Sequence, residues 1–268
     1  MAECNHNCSS CSQSCDERVE KGPLPSTRIK KIIGVLSGKG GVGKSMISGL
    51  LAVTLAKMGY QVGIMDADVT GPSIPKIFGI HGDTVGDGIG IYPSLTERYQ
   101  IKVASINTML ESEETPVIWK GPLLSSMVKQ FYTDVYWEEL DYLIIDMPPG
   151  TSDIALTVLQ DLPIDGLVMV TGASKLIGMV VAKTINLAKA TNTKILGIVE
   201  NMAYVKCPDC KKKIMIYQED ASEAYASKYG LEILAKLPLD PTLASLADEG
   251  RIEEYDGDDL IRVTEALK

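Results

Sequence analysis

The chain has 268 residues, of which 45% are hydrophobic, and a formal net charge of −9. A chain of this length and apolar content can bury a large core, which favours one main domain. The negative charge argues against a general phosphate-backbone binder, although a local basic patch stays possible. No stretch reaches the roughly 18–20 apolar residues of a membrane span or forms the apolar core of a signal peptide. We therefore expect a cytoplasmic protein without nucleic-acid or membrane partners.

Residues 1–28 are polar and almost devoid of aliphatic side chains, so we predict a flexible tail that a metal would be needed to order. Four of the six cysteines lie here, in the spacing C-x3-C-x2-C-x3-C: Cys4, Cys8, Cys11 and Cys15. In a reducing cytosol such clusters favour metal ligation over disulfides. Four thiolates could hold a complete [4Fe-4S] cluster, but no proline follows Cys15 as it does in bacterial ferredoxins. Zinc binding, transient cluster handling and a free thiol tail therefore stay open.

The segment 29–268 alternates short apolar runs with longer amphipathic stretches. The runs are rich in Val, Ile and Leu without period-2 polarity, as expected of parallel strands covered on both faces. They are residues 32–36, 61–68, 101–106, 141–148, 165–172, 193–201 and 231–239. Helical segments of about 10–15 residues between several runs indicate right-handed βαβ crossovers. We predict an α/β domain with a doubly wound, mostly parallel sheet and helices on both faces.

The first strand is followed by LSGKGGVGKSM, residues 36–46, which fits two nucleotide-binding templates. Its glycines satisfy both the dinucleotide fingerprint G-x-G-x-x-G and the phosphate loop G-x-x-x-x-G-K-[ST]. Lys44 and Ser45 decide between them, because a triphosphate with Mg²⁺ requires an ammonium group and a metal-binding hydroxyl whereas a pyrophosphate diester does not. We predict that ATP is bound by Gly38, Lys39, Gly40, Gly41, Val42, Gly43, Lys44, Ser45 and Met46.

Carboxylates follow the next apolar strands, at the sheet edge where ligands bind in this topology. Asp146 directly follows the apolar residues 143–145 of the fourth run and is expected to reach Mg²⁺ through water. Asp66 and Asp68 end the second run, so one could support the Mg²⁺ shell while the other orients the attacking water. The alternative is that one of them only caps the following helix. Asp153 is either close to the γ-phosphate or an N-cap.

A C-x-x-C pair, Cys207 and Cys210, lies in a loop at residues 206–213 that interrupts the α/β rhythm. Two thiolates are half of a tetrahedral zinc site or a [4Fe-4S] site. A symmetric dimer would supply the same pair twice, giving four ligands for one bridging cluster. The lysines beside the pair would favour thiolates and offset the charge of the cluster. A thioredoxin-like redox pair, half of a zinc ribbon and a plain exposed loop are the alternatives.

Several motifs carry a family resemblance. GKGGVGKS, with its extra lysine Lys39, resembles the deviant phosphate loop of the MinD, ParA and nitrogenase-iron-protein group. DADVTGPSIPKIFG, WKGPLLSSMVKQF, DYLIIDMPPGTSD and VENMAYVKCPDC closely resemble the Mrp/ApbC branch of that group, the cytosolic iron-sulfur cluster carriers. The matching segments occur in the same order over residues 29–241.

The resemblance implies an ATP-hydrolysing homodimer that binds a [4Fe-4S] cluster at its interface and transfers it to apoproteins. It implies that Lys39 reaches the nucleotide of the partner chain, that Asn201 reads adenine, and that Asp153 belongs to switch II. Asp66 and Asp68 would form switch I. Two other functions fit the same fold: a MinD- or ParA-like positioning ATPase, and an ATP-driven electron donor resembling the nitrogenase iron protein. The first should end in a basic amphipathic helix, whereas DGDDLIRVTEALK carries four acidic and two basic residues.

Overall fold

The computed structural model describes residues 22–68, 71, 73–81, 84–109, 121–172, 177–216 and 220–268. The N-terminal cysteines, Cys4, Cys8, Cys11 and Cys15, lie outside the described residues, as does most of the predicted tail. Of residues 22–28, Leu24 is buried and its N–H donates to the carbonyl oxygen of Thr133. Contact with the folded domain therefore begins a few residues before the predicted boundary.

The described residues form one nine-stranded sheet. Its strands are β1 (Arg28–Ser37), β2 (Val62–Asp66), β3 (Ser94–Leu95), β4 (Lys102–Ala104), β5 (Glu139–Asp146), β6 (Gly166–Gly172), β7 (Ile195–Lys206), β8 (Lys213–Met215) and β9 (Ile233–Pro238). The order across the sheet is β3-β4-β2-β5-β1-β6-β7-β8, and β9 pairs with the other edge of β7. Pairing is parallel except where β3 meets β4 and β8 meets β7. Each of the seven apolar runs overlaps one strand that pairs in parallel, which confirms the predicted fold class.

Helices cover both faces of this sheet, as predicted. They are α1 (Lys44–Lys57), α2 (Ile74–Ile77), α3 (Gly121–Thr133), α4 (Asp153–Asp161), α5 (Ile177–Ala190), α6 (Asp220–Tyr229), α7 (Pro241–Asp248) and α8 (Ile261–Ala266), with short 3₁₀ turns at Ile106–Met109 and Ile252–Glu254. Side chains of β1 alternate between the faces: Ile33 and Val35 pack with α1, α2, α7 and α8, whereas Ile32 and Leu36 pack with α3 and α4. Within the described ranges, no helix is long and apolar enough to cross a membrane.

The carboxyl ends of β1, β2 and β5 lie side by side at one edge of the sheet. In the register of these strands, Asp146 is opposite Val35 on one side and Asp66 on the other. The N–H of Gly150, in the loop after β5, donates to the carbonyl oxygen of Ser37 at 2.7 Å. This pairing brings the glycine-rich loop and the predicted carboxylates to one place.

Candidate functional site

The glycine-rich loop joins β1 to α1 and leaves the start of the helix open to a ligand. Gly41 and Gly43 have φ of +78° and +77°, the left-handed region that glycine adopts without a steric cost. Gly43 is the N-cap of α1, and no side chain of the described residues caps that helix. The N–H groups of the first helical turn are therefore free to bind phosphate oxygens, with the helix dipole adding to the attraction. Ser45 and Met46 lie in that turn.

Lys44 and Asp146 form the buried centre of the site. The ammonium group of Lys44 lies 2.8 Å from Asp146 Oδ2, and both side chains are almost completely removed from solvent. The hydroxyl of Ser45 donates to the same Oδ2 at 2.6 Å, and the hydroxyl of Ser48 donates to Oδ1 at 2.6 Å. Hydroxyl and carboxylate oxygens are the ligands that Mg²⁺ accepts, directly or through water, so this donor set fits the ion.

Sequence reasoning missed Ser48. It lies one helical turn after Lys44 on the same side of α1, and it is fully buried. Its hydroxyl also donates to the carbonyl oxygen of Lys44 at 3.1 Å. The one signal in the sequence was that Ser48 follows Lys44 by four residues, which puts both on the same side of a helix. A serine in a helix can equally well face solvent, so this spacing did not identify it.

Asp66 and Asp68 make different contacts. Asp66 is fully buried, and its Oδ2 accepts hydrogen bonds from the N–H groups of Ser73 and Ile74 at 3.1 and 3.2 Å, at the start of α2. Burial, followed by the nearby Asp146 carboxylate, raises the pKa of Asp66 above its ordinary value. Asp68 Oδ2 lies 3.7 Å from the ammonium nitrogen of Lys44. The helix-capping alternative therefore describes Asp66, whereas Asp68 faces the phosphate loop.

Lys39 and Asp153 both lie on the exposed rim of the site. Lys39 is exposed in the glycine-rich loop, where its carbonyl oxygen accepts a hydrogen bond from the Ser37 hydroxyl at 3.1 Å. Asp153 is the exposed first residue of α4, but the N-cap is Ser152, whose hydroxyl oxygen accepts from the Ala155 N–H at 3.3 Å. The N-cap alternative for Asp153 is therefore wrong by one residue.

Asn201 lies in β7 and contacts the glycine-rich loop from the side. Its amide nitrogen donates to the carbonyl oxygen of Val42 at 3.0 Å, and its side-chain oxygen accepts from the N–H of Met202 at 3.0 Å. A Cβ added to Gly43 would overlap that amide nitrogen. The described contacts thus place Asn201 against the backbone of the loop predicted to bind ATP.

The cysteine pair lies on the turn of a β-hairpin. β7 continues beyond Asn201 to Lys206, and β8 pairs with its last residues in antiparallel fashion. The N–H of Cys207 donates to the carbonyl oxygen of Lys212, and the N–H of Lys211 donates back to that of Cys207, each at 3.0 Å. Cys207 is half-buried and Cys210 is exposed. These hydrogen bonds fix a tight turn that presents both sulfur atoms at its end.

Hydrogen bonds to the sulfur of Cys207 favour its thiolate. The N–H of Cys210, then that of Asp209, and then the Cys210 thiol lower the pKa of Cys207 below that of an ordinary cysteine. Within the part of the chain that the structure describes, no three His, Cys, Asp or Glu side chains gather as a metal site. The described part of one chain therefore supplies two thiolates here, and a four-ligand site needs two more.

Comparison with known proteins identifies the family of the chain. The family model for ParA-type proteins, described as NUBPL iron-transfer P-loop NTPase, matches residues 28–266. The iron-sulfur cluster carrier protein of Clostridium perfringens is 46% identical over 235 residues, which cover 85% of this chain and 82% of that protein. The cytosolic Fe-S cluster assembly factor NUBP2 homolog of Dictyostelium discoideum is 42% identical, with 83% and 86% covered.

Two solved structures resemble this chain, and one of them is a relative with a bound ligand. The nucleotide-binding protein of Archaeoglobus fulgidus in complex with ADP is 46% identical and superposes with a TM-score of 0.77, over 86% of this chain and 90% of that one. The cell division ATPase MinD of Pyrococcus furiosus shares the fold alone, with a TM-score of 0.63 at 20% identity over 89% of this chain and 98% of that one. The chain belongs to the ParA-type P-loop NTPases of the NUBPL and Mrp group, the iron-sulfur cluster carrier proteins.

Proposed function

We propose that two copies of this chain hydrolyse ATP and hold one [4Fe-4S] cluster between their cysteine pairs, for delivery to apoproteins. The ADP bound by the Archaeoglobus relative supports a nucleotide in the same loop here, and the names of the carrier relatives support the cargo. The cytosolic relatives support a cytoplasmic location.

The observation that carries the proposal is the path of β7, which contacts the glycine-rich loop and then ends next to the cysteines. Asn201 contacts the backbone of Val42, and Cys207 follows six positions later. Between them Met202 has φ of +54°, and the pairing of β7 with β9 shifts register between Glu200 and Tyr204. A non-glycine residue in the left-handed region stores about 1–2 kcal/mol of strain. A shift of the phosphate loop can therefore act on this strained point and move the hairpin beyond it.

The geometry of the site supports a separate role for each residue in ATP hydrolysis. We expect Lys44 to move from Asp146 onto the phosphates, Ser45 and Asp146 to hold Mg²⁺, and Asp68, which lies 3.7 Å from the Lys44 ammonium nitrogen, to orient the attacking water. Mg²⁺ would neutralise the charge of the phosphates when bound. Lys39 is exposed and can reach a second chain, where its charge would stabilise the transition state of the nucleotide bound there.

The cluster is cargo, and each chain offers half of its ligands. Cys207 and Cys210 on one hairpin would pair with the same two residues of a symmetric copy. The exposed position of the turn suits a cluster that must leave, because a recipient's thiolates can approach the iron from solvent. A cluster held by two cysteines from each chain should also be released more easily than one held by four cysteines of a single chain. When the two copies separate, the cluster loses half of its ligands.

Thiol reactivity in the cluster-free protein tests the coupling through β7. We expect the alkylation rate of Cys207 by iodoacetamide, followed by mass spectrometry, to change when Mg²⁺ and a non-hydrolysable ATP analogue are added. Asn201→Ala, measured at saturating nucleotide, should remove that change because the contact with Val42 is lost. An alkylation rate that is the same with and without nucleotide in the unmodified chain would contradict the coupling.

A further inference from the structure

The hairpin that presents the cysteines carries a concentration of positive charge. We call residues 204–216 the basic hairpin. Its four lysines are exposed, and none forms an ion pair with a carboxylate of the described residues: Lys206, Lys211, Lys212 and Lys213. The ammonium group of Lys213 lies 4.6 Å from the ring centre of Tyr204. In a chain with a net charge of −9, this is a local reversal of sign.

The negative charge of the proposed cluster would not neutralise the positive charge of the hairpins. Four lysines against the single carboxylate of Asp209 give each hairpin a charge of +3 with neutral thiols. A [4Fe-4S] cluster with four thiolates carries about −2 in total. Two hairpins sharing one cluster therefore keep a surplus of about +4 at the place where the cluster is held. Like charges on the two hairpins also repel each other, so this surplus is better explained by an oppositely charged partner than by a second copy.

An apolar patch lies beside the charged tip. Ile214 and Ile216 of the hairpin are 54% and 40% exposed, and strand alternation puts Ile214 on the face opposite Lys213. Leu239 is 46% exposed, and its N–H donates to the carbonyl oxygen of Tyr204 at 2.8 Å, which places it at the base of the hairpin. An exposed apolar patch rimmed by polar residues is one mark of a protein-binding site.

Cluster transfer constrains what must touch this surface. Iron-thiolate ligands are exchanged only at bonding distance, so a recipient's cysteines have to come to the turn at Cys207 and Cys210. A protein that does so contacts the lysines on either side of that turn.

We propose that the basic hairpin is the docking surface for recipient apoproteins, and that these recipients present acidic side chains beside their cluster-binding cysteines. The proposal rests on the proposed cluster-carrying function. Electrostatic attraction of this kind acts mainly on the association rate and weakens with salt.

The first test measures transfer from the cluster-loaded full chain to an acidic apo-ferredoxin, with the rate expressed per loaded cluster. The variant is Lys211→Gln, Lys212→Gln, Lys213→Gln. Its matched control replaces three exposed lysines elsewhere, Lys183, Lys194 and Lys228, by glutamine. The unmodified chain and the control should transfer about tenfold more slowly at 300 mM than at 20 mM salt, whereas the hairpin variant should be about tenfold slower at low salt and nearly insensitive to salt. Equal low-salt rates in all three proteins would overturn the proposal, as would salt-independent transfer by the unmodified chain.

A second measurement separates failure of this proposal from failure of the cluster-carrying function. The cluster-free chain is titrated with a fluorescent peptide of ten glutamates at low salt. Binding by the unmodified chain and the control, with loss of binding in the hairpin variant, would support an acid-binding surface even if no cluster were carried. Equal binding in the control and the hairpin variant would overturn it. Sedimentation that shows loss of a dimer in the hairpin variant, with unchanged peptide binding, would instead make the hairpin a contact between copies and also overturn it.

Discussion

Replacing Gly43 with alanine should destabilise the protein more than the same change at Gly41, although both glycines are in the phosphate loop with nearly the same backbone conformation. A Cβ on Gly41 would have no heavy atom within 4 Å, whereas a Cβ on Gly43 would overlap the amide nitrogen of Asn201. The pair therefore separates the backbone cost of alanine from the cost of displacing Asn201.

The two costs can be estimated from the contacts. An alanine in the left-handed region destabilises the folded state by about 1–2 kcal/mol. The same alanine makes the unfolded chain stiffer, which offsets about 0.4–1 kcal/mol of that cost. Gly41→Ala should therefore lower the free energy of unfolding by about 1 kcal/mol. At Gly43 the displaced Asn201 also stops donating to Val42, a residue only 4% exposed. Leaving a buried carbonyl oxygen without its donor costs about 1–3 kcal/mol. Gly43→Ala should therefore lose about 2–4 kcal/mol.

Urea unfolding of the nucleotide-free protein measures both free energies. A double-mutant cycle with Asn201→Ala identifies the cause: in that background Gly43→Ala should cost only the backbone term, close to the loss measured for Gly41→Ala. Equal losses for the two single glycine variants would refute the contact. A Gly43→Ala cost that persists in full without the Asn201 side chain would refute it as well.

Three further predictions concern charge. Lys39→Ala should keep nucleotide binding but reduce phosphate release on the order of 10³-fold, because the lysine would act on the partner's nucleotide; full hydrolysis would contradict that role. The pKa of Asp66 is raised in the folded state, so this carboxyl holds a proton more tightly in the folded protein than in the unfolded chain. Its contribution should therefore make the free energy of unfolding fall as the pH rises from about 4 through the folded pKa. Asp66→Asn should flatten that part of the pH profile, and an unchanged profile would argue against the raised pKa. The lowered pKa of Cys207 should make it react with iodoacetamide at a lower pH than the free thiol N-acetylcysteine, which pH-dependent mass spectrometry would show; the same pH profile for both thiols would argue against the hydrogen bonds to its sulfur.

The parallel strands were predictable because each is an apolar run covered on both faces. β3 and β8 were not, since they are two and three residues long and exist only through pairing with a neighbour. β8 matters most, because it turns the loop predicted at residues 206–213 into the end of a hairpin. Short antiparallel strands without apolar alternation leave no clear mark in a sequence.

At the site, residue types were predictable and their partners were not. Lys44, Ser45 and Asp146 follow from the triphosphate chemistry of their motifs, and the structure brings them together. The spacing of Asp66 and Asp68 allowed either to face the phosphates, and the choice depends on how the chain bends toward the start of α2. The contact of Asn201 with the phosphate loop joins β7 to a loop more than 150 residues away, which only tertiary structure reveals.

The central claim is that one cluster is shared by the cysteine pairs of two chains. It is tested most directly by iron and sulfide analysis of the full chain after anaerobic reconstitution, with the four N-terminal cysteines replaced by alanine so that only Cys207 and Cys210 remain. We predict about two iron and two sulfide per chain in a dimer, and none after the further change Cys207→Ala, Cys210→Ala. About four iron per chain in a monomer, or equal labile iron and sulfide with and without the pair, would contradict the account.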